Sequence, residues 1–206
     1  MLIQTPSIIF KNDFRKWYSS ENLQHCEIIS EKNLKVQEFL LKEFSLTEIE
    51  IKPNYITLII PLYGLIKINE KIVSANEVFS IKPSENKSIT IKNLLDTASN
   101  YSIIEIKDEK ELTFENFSEI NVLRNALSKI SNHLKTPNYI GIFDGREEIQ
   151  FHLENHQNKI FAMVLNGAFE IQNRLLENRD AIILWEITEL EFEALSENAL
   201  IIFFEI

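Results

Sequence analysis

Glycine is scarce in this chain, four in 206 residues, and the scarcity removes whole classes of chemistry. Phosphate-cradling loops and dinucleotide fingerprints need several glycines close together, and no such run exists. No serine sits in the Gly-flanked elbow of a hydrolase nucleophile. The lone cysteine, Cys26, has no partner for an internal disulfide, as expected in a reducing compartment. Its neighbour His25 does not activate it, because adjacent residues on a strand point to opposite faces. Cations are outnumbered, 21 Lys and Arg against 31 Asp and Glu, for a formal net charge of −10. Nucleic acid and anionic membranes reward clustered cations, so neither is an expected partner. No apolar run approaches the ~20 residues of a membrane-spanning helix. The opening MLIQTPSIIFKNDF lacks the basic-then-apolar order of a secretory leader. A cytoplasmic location is the expectation.

What the chain has in abundance is alternation. Ile66, Ile68, Ile72, Val78 and Ile81 are interleaved with Lys67, Asn69, Lys71, Glu77 and Ser80, and Leu190 to Ala194 repeats the style. Period two with β-branched and aromatic residues marks strands that bury one face. The alternation is also duplicated. GLIKINEKIVSANEVFSI from Gly64 and GAFEIQNRLLENRDAIIL from Gly167 align without a gap. The alignment pairs Gly64 with Gly167, Ile68 with Ile171, Lys71 with Arg174, Glu77 with Asp180 and Ile81 with Leu184. An apolar strand precedes each copy, Ile56 to Leu62 and Ile160 to Leu165, and a strand pair follows each. Agreement of glycine, hairpin polarity and acidic position in one register points to internal duplication.

Between the copies, Ile120, Leu123, Leu127, Ile130 and Leu134 form one apolar stripe at helical spacing. Ser118 stands as N-cap, Glu119 lies in the first turn and Pro137 follows the end. The spacing predicts a helix over Ser118 to Leu134. Val36 to Phe44 is compatible with either helix or strand. The expected fold is all-β, with two antiparallel barrels joined by that helix. Residues 1–112 form the first barrel, 113–137 the linker and 138–206 the second.

A Gly-led hairpin, an acidic residue before the next strand, and duplication in one chain resemble the bicupin architecture, and more closely the pirin-like family, which includes quercetin 2,3-dioxygenases. NRLLENRDAIILWE is similar to the hairpin, Asp turn and aromatic strand of that family's carboxy-terminal domain. ITLIIPLYG looks like the strand that follows its amino-terminal metal motif. The resemblance covers about residues 48 to 106 and 138 to 206.

The resemblance implies a metal site that this chain does not spell. Metal-binding relatives carry His-x-His before that strand and a further His and Glu later, holding Fe, Ni or Cu. Here those positions fall on Glu50 and Lys52, then near Ile89 and Ile91, and no His lies between Cys26 and His133. An ammonium and two hydrocarbons are no ligands, so these four residues outline a vestigial pocket. If Glu50 and Lys52 point inward they should pair with each other or with another polar group; otherwise they face solvent on an edge strand. In the second copy the His-x-His positions fall on Glu154 and His156, and the Glu position on Ile160. On a strand, His152, Glu154 and His156 would share a face, as would the polar side of any amphipathic strand. Glu154 and His156 are therefore weak metal candidates. No catalytic or cofactor-binding residue is assigned and no cofactor is expected. The implied role is binding a small apolar ligand or a protein. The alternative is a metal-dependent, quercetinase-like oxidoreductase that uses a transition metal in the carboxy-terminal copy.

Overall fold

Alternating runs become strand almost throughout the computed structural model, which describes residues 5–206. In chain order the strands are β1 (Ser7–Phe10), β2 (Trp17–Ser19), β3 (Leu23–Ser30), β4 (Leu34–Leu41), β5 (Leu46–Ile51) and β6 (Tyr55–Tyr63). They continue with β7 (Ile66–Ile68), β8 (Lys71–Val73), β9 (Glu77–Lys82), β10 (Lys87–Asn93), β11 (Ser99–Lys107) and β12 (Phe114–Glu119). The later ones are β13 (Ala126–Lys129), β14 (Asn138–Phe143), β15 (Glu148–His152), β16 (Ile160–Asn166) and β17 (Phe169–Ile171). The last four are β18 (Arg174–Leu176), β19 (Ala181–Leu184), β20 (Glu189–Ala194) and β21 (Ala199–Glu205). Among the described residues the one helical piece is a 3-10 turn at Asn12–Phe14.

The predicted helix over Ser118 to Leu134 is not formed. The segment begins in β12, turns through Asn125 at φ +54° and continues as β13. Ile120, Ile130 and Leu134 are buried, but Leu123 is 52% exposed, so the stripe does not share one face. Asn121, Asn125, Ser128, Ser131 and Asn132 compete for backbone hydrogen bonds and weaken a helix. Ser128 does so directly, accepting from Leu123 N–H at 3.1 Å. The ambiguous stretch from Val36 is strand, with β4 paired to β3 on one side and β11 on the other.

The chain divides into an amino-terminal unit, Arg15–Ile120, and a carboxy-terminal unit, Asn121–Ile206 together with the segment ending at Phe14. The opening segment lies with the carboxy-terminal unit because β1 pairs antiparallel with β19, Ser7 opposite Leu184 and Phe10 opposite Ala181. Each unit contains two sheets, and these are not closed into the barrels expected. The amino-terminal unit has sheets ordered β12-β9-β6-β11-β4-β3-β2 and β5-β10-β7-β8. The carboxy-terminal unit has β1-β19-β16-β21-β14-β13 and β15-β20-β17-β18. Each core draws on both sheets of its unit. Phe39, Phe79, Tyr101 and Ile103 meet Ile51, Ile66, Ile89 and Ile91 in the first. Phe203 and Ile182 meet Phe169, Leu190 and Phe192 in the second.

The repeat holds at atomic detail. Gly64 (φ +86°) and Gly167 (φ +77°) adopt the left-handed backbone. A Cβ at either would lie 3.2 Å from a backbone Cα, that of Ser99 or Ala199 respectively, so both positions need glycine. The aligned acids close the same turn. Ser74 N–H donates to Glu77 Oε2 at 3.0 Å, and Glu177 N–H donates to Asp180 Oδ2 at 2.9 Å.

Candidate site: the amino-terminal interior and the loop after β15

In β5 the inward positions are Thr47, Ile49 and Ile51, while Leu46, Glu48 and Glu50 are exposed. β10 pairs with it so that Ile89 lies opposite Ile49 and Ile91 opposite Thr47. Ile89 and Ile91 are 1% and 0% exposed and belong to the core. The structure therefore separates the four residues of the vestigial pocket. Ile89 and Ile91 face inward; Glu50 is exposed on the outer face and Lys52 is exposed just past the strand end. The inward pairing considered for the two charges is not formed. Their position in the outer register follows from the turn at Pro53 and Asn54 between β5 and β6. Counting back from β6 residue by residue crosses that turn, and a shift of one position exchanges the faces.

The inner wall does not fit the family's metal. At the inner positions of β5 and β10 stand Ile49, Ile51, Ile89 and Ile91. A transition metal needs imidazole, thiolate or carboxylate donors, and these four side chains offer none. Among the described residues no group of three His, Cys, Asp or Glu is arranged to hold a metal ion.

The weak candidates of the second copy lie elsewhere than expected. β15 ends at His152, and Glu154 and His156 are exposed on the loop that leads to β16. The carboxylate that organises this loop is Glu205, which is 0% exposed. It accepts Glu154 N–H at 3.1 Å, Asn155 N–H at 3.0 Å and Asn158 Nδ2 at 2.8 Å. Sequence reading missed Glu205, whose only signal was an acid within the apolar run IIFFEI. Ile160, at the family's Glu position, is fully buried. His152 makes a surface pair with Glu189, Nδ1 to Oε2 at 3.4 Å.

Several buried polar groups were also not anticipated. Arg15 and Glu38 form an ion pair at 2.8 Å with side chains 3% and 6% exposed. Glu38 also accepts Asn100 Nδ2 at 2.9 Å. Cys26 lies opposite Glu38 in the sheet, and burial pushes its thiol up to about 11 against the lowering charge of Arg15. Lys82, 3% exposed, donates to the carbonyls of Asp108, at 2.7 Å, and of Lys110. Glu38 thus joins Arg15 to Asn100, and Lys82 fixes the loop through Asp108 and Lys110. By contrast, the hydroxyls of Tyr101 and Thr57 are buried without a hydrogen-bond partner among the described residues.

Comparison with known proteins agrees with this architecture. Residues 133–206 match the family described as the quercetinase C-terminal cupin domain. No curated protein matches the chain. YhhW from Escherichia coli superimposes with a TM-score of 0.82 at 13% identity, over 97% of this chain and 97% of that one. Its complex with nickel(II), a bacterial pirin, gives 0.81 at 12% identity, over 97% and 98%. A quercetin 2,3-dioxygenase from Acinetobacter baumannii gives 0.72 at 10% identity, over 98% of this chain and 78% of the other. Identities this low speak to fold alone. The carboxy-terminal stretch thus matches the quercetinase C-terminal cupin domain, and the chain shares the fold of these pirin and quercetinase structures.

Proposed function

We propose that this chain is a metal-free, non-catalytic binding module of the cytoplasm, taking a small apolar ligand or a protein rather than nucleic acid or membrane. The observation that carries this reading is the inner wall of Ile49, Ile51, Ile89 and Ile91, hydrocarbon where ligands to a metal would have to stand. Burying a divalent ion there without donors would cost many kcal/mol in desolvation. The rival is a metal-dependent oxidoreductase working from Glu154 and His156. It is less well supported, because both side chains lie exposed on a loop and their third partner position is Ile160.

Oxygen consumption with quercetin, the substrate named for the Acinetobacter neighbour, tests the choice in the presence of Fe²⁺, Ni²⁺ or Cu²⁺. The expected result is no turnover above the metal-only control. Turnover that is lost in Glu154→Ala or His156→Ala would establish the rival.

A further inference from the structure

We propose that the end of the amino-terminal unit carrying Phe44 and Tyr63 is a self-association surface, on which a second copy of this chain docks to form a closed dimer. The proposal stands apart from the binding-module reading and does not depend on what the interior holds.

Three loops converge at this end on Asn93, which is fully buried. Its Nδ2 donates to the carbonyls of Leu41, Lys42 and Thr97, and its Oδ1 accepts Leu95 N–H at 3.0 Å and Ser99 Oγ at 2.7 Å. Ser99 Oγ also lies 3.2 Å from the Leu65 carbonyl, and Phe44 N–H donates to Leu95 O at 3.1 Å. The side chains displayed on this frame are apolar. Phe44 is 64% and Tyr63 62% exposed, with Leu46 and Leu65 exposed two residues further along. Two aromatic rings of ~200 Å² each, both more than half exposed, bring the patch to the order of a few hundred Å² that marks an interaction surface.

The repeat shows that the fold does not require this surface. The loops at 42–45 and 144–147 make one and the same turn. Ser45 N–H donates to Lys42 O and Glu147 N–H to Asp144 O, both at 3.3 Å, while Phe44 and Arg146 N–H donate to Leu95 O and Ala194 O. The third residue of each loop is left-handed, Phe44 at φ +47° and Arg146 at φ +76°. At such a position Gly or Asn costs least, and a bulky side chain is a true outlier. The carboxy-terminal copy fills the matching places with polar or small residues: Arg146 for Phe44, Glu148 for Leu46, Asn166 for Tyr63 and Ala168 for Leu65. The amino-terminal copy thus holds a strained phenylalanine in solvent where the turn needs no side chain, and strain of this kind collects at functional positions.

Charge selects the occupant. The chain carries a net charge of −10, so two copies repel over most orientations. This end is balanced, with Lys42 and Lys92 against Glu43 and Asp96, all exposed. Lys92 stands directly opposite Leu46, and the other three lie on the loops themselves. A basic partner would call for an acidic rim, and an anionic membrane for a cationic one. A rim of both signs complements its own image about a two-fold axis. A stable contact buries about 800 Å² per subunit around an apolar centre with a polar rim, and this end is divided in that way.

Sedimentation velocity of the full chain, from micromolar to several hundred micromolar at physiological salt, reads the association directly. The parent should pass from monomer to dimer and stop there. Phe44→Gly removes the ring and suits the left-handed backbone, so it should match or exceed the parent's melting temperature while raising the dimer dissociation constant by about tenfold or more. Tyr63→Ser should weaken association to a similar degree. Leu175→Ser, at an exposed leucine of the carboxy-terminal unit, should leave it unchanged. A parent that stays monomeric over the whole range would overturn the proposal and leave the patch to a different protein. A dimer that survives Phe44→Gly combined with Tyr63→Ser, or association that runs on to higher oligomers, would overturn it as well. Each of these results leaves the binding-module reading where it stands.

Discussion

Asp180 and Glu77 occupy one place in the two copies of the repeat, but Asp180 has a second set of partners. Besides closing its own turn, it receives Lys11 Nζ at 2.5 Å and Asn12 N–H at 2.9 Å, which fixes the segment after β1. Its side chain is 3% exposed. Removing one partner of a buried charged pair costs about 3–5 kcal/mol, and the 34% exposure of Lys11 puts this pair at or below the low end. Asp180→Asn should therefore lower the urea-unfolding free energy by about 2–3 kcal/mol, and Glu77→Gln by less than about 1 kcal/mol. The hydrogen bond to Asp180 raises the Lys11 ammonium above its ordinary value. A raised cation stabilises below its unfolded pKa, and that contribution is lost as pH climbs through the folded value. Cys26 adds to the same alkaline loss. Its thiol moves from 9.0 to about 11, so the unfolded chain gives up that proton first and stability falls between these values. Denaturation midpoints from pH 8 to 11 should show the decline, and Cys26→Ala should make it shallower. An unchanged slope would mean that Cys26 is not the titrating group.

At the scale of the element, β5 decides how the first copy is understood. Glu50→Ala and Lys52→Ala alter exposed side chains and should change stability by no more than about 0.5 kcal/mol. Ile51→Ala and Ile91→Ala empty core positions and should each cost about 2–5 kcal/mol. Chemical denaturation separates the two pairs, and a large loss at Glu50 would mean that β5 presents its other face to the core. Much of this element pattern was legible in the sequence. The alternation, the two glycines and the aligned acids located strands that the structure contains, in two matching copies. Whether Glu50 and Lys52 face inward or face solvent on an edge strand was not legible, since a turn intervenes and strand period two turns a one-residue error into the opposite face; both are exposed, and β5 is an edge strand. Glu154 and His156 were displaced for a related reason, because β15 stops at His152 and nothing local to the sequence says so. The stripe from Ile120 to Leu134 misled because buried positions at helical spacing also arise where a strand, a turn and another strand follow in succession.

At the scale of the molecule, the two copies have departed from a common pattern along separate routes. In the amino-terminal unit the wall considered for a metal is isoleucine. In the carboxy-terminal unit Glu205 turns its charge onto the backbone of the loop that carries Glu154 and His156. The path of β1 into the carboxy-terminal sheet could not be read from sequence, because its partner β19 lies more than ~150 residues away and pairing at that distance leaves no periodic trace. The reading proposed for the whole chain is that it works without a bound transition metal. Equilibrium dialysis of the full chain against Fe²⁺, Ni²⁺ and Cu²⁺ near neutral pH, with bound metal counted by elemental mass spectrometry, tests it most directly. The account predicts far less than one equivalent retained and no shift in melting temperature; one tightly held equivalent that raises the melting temperature would contradict it.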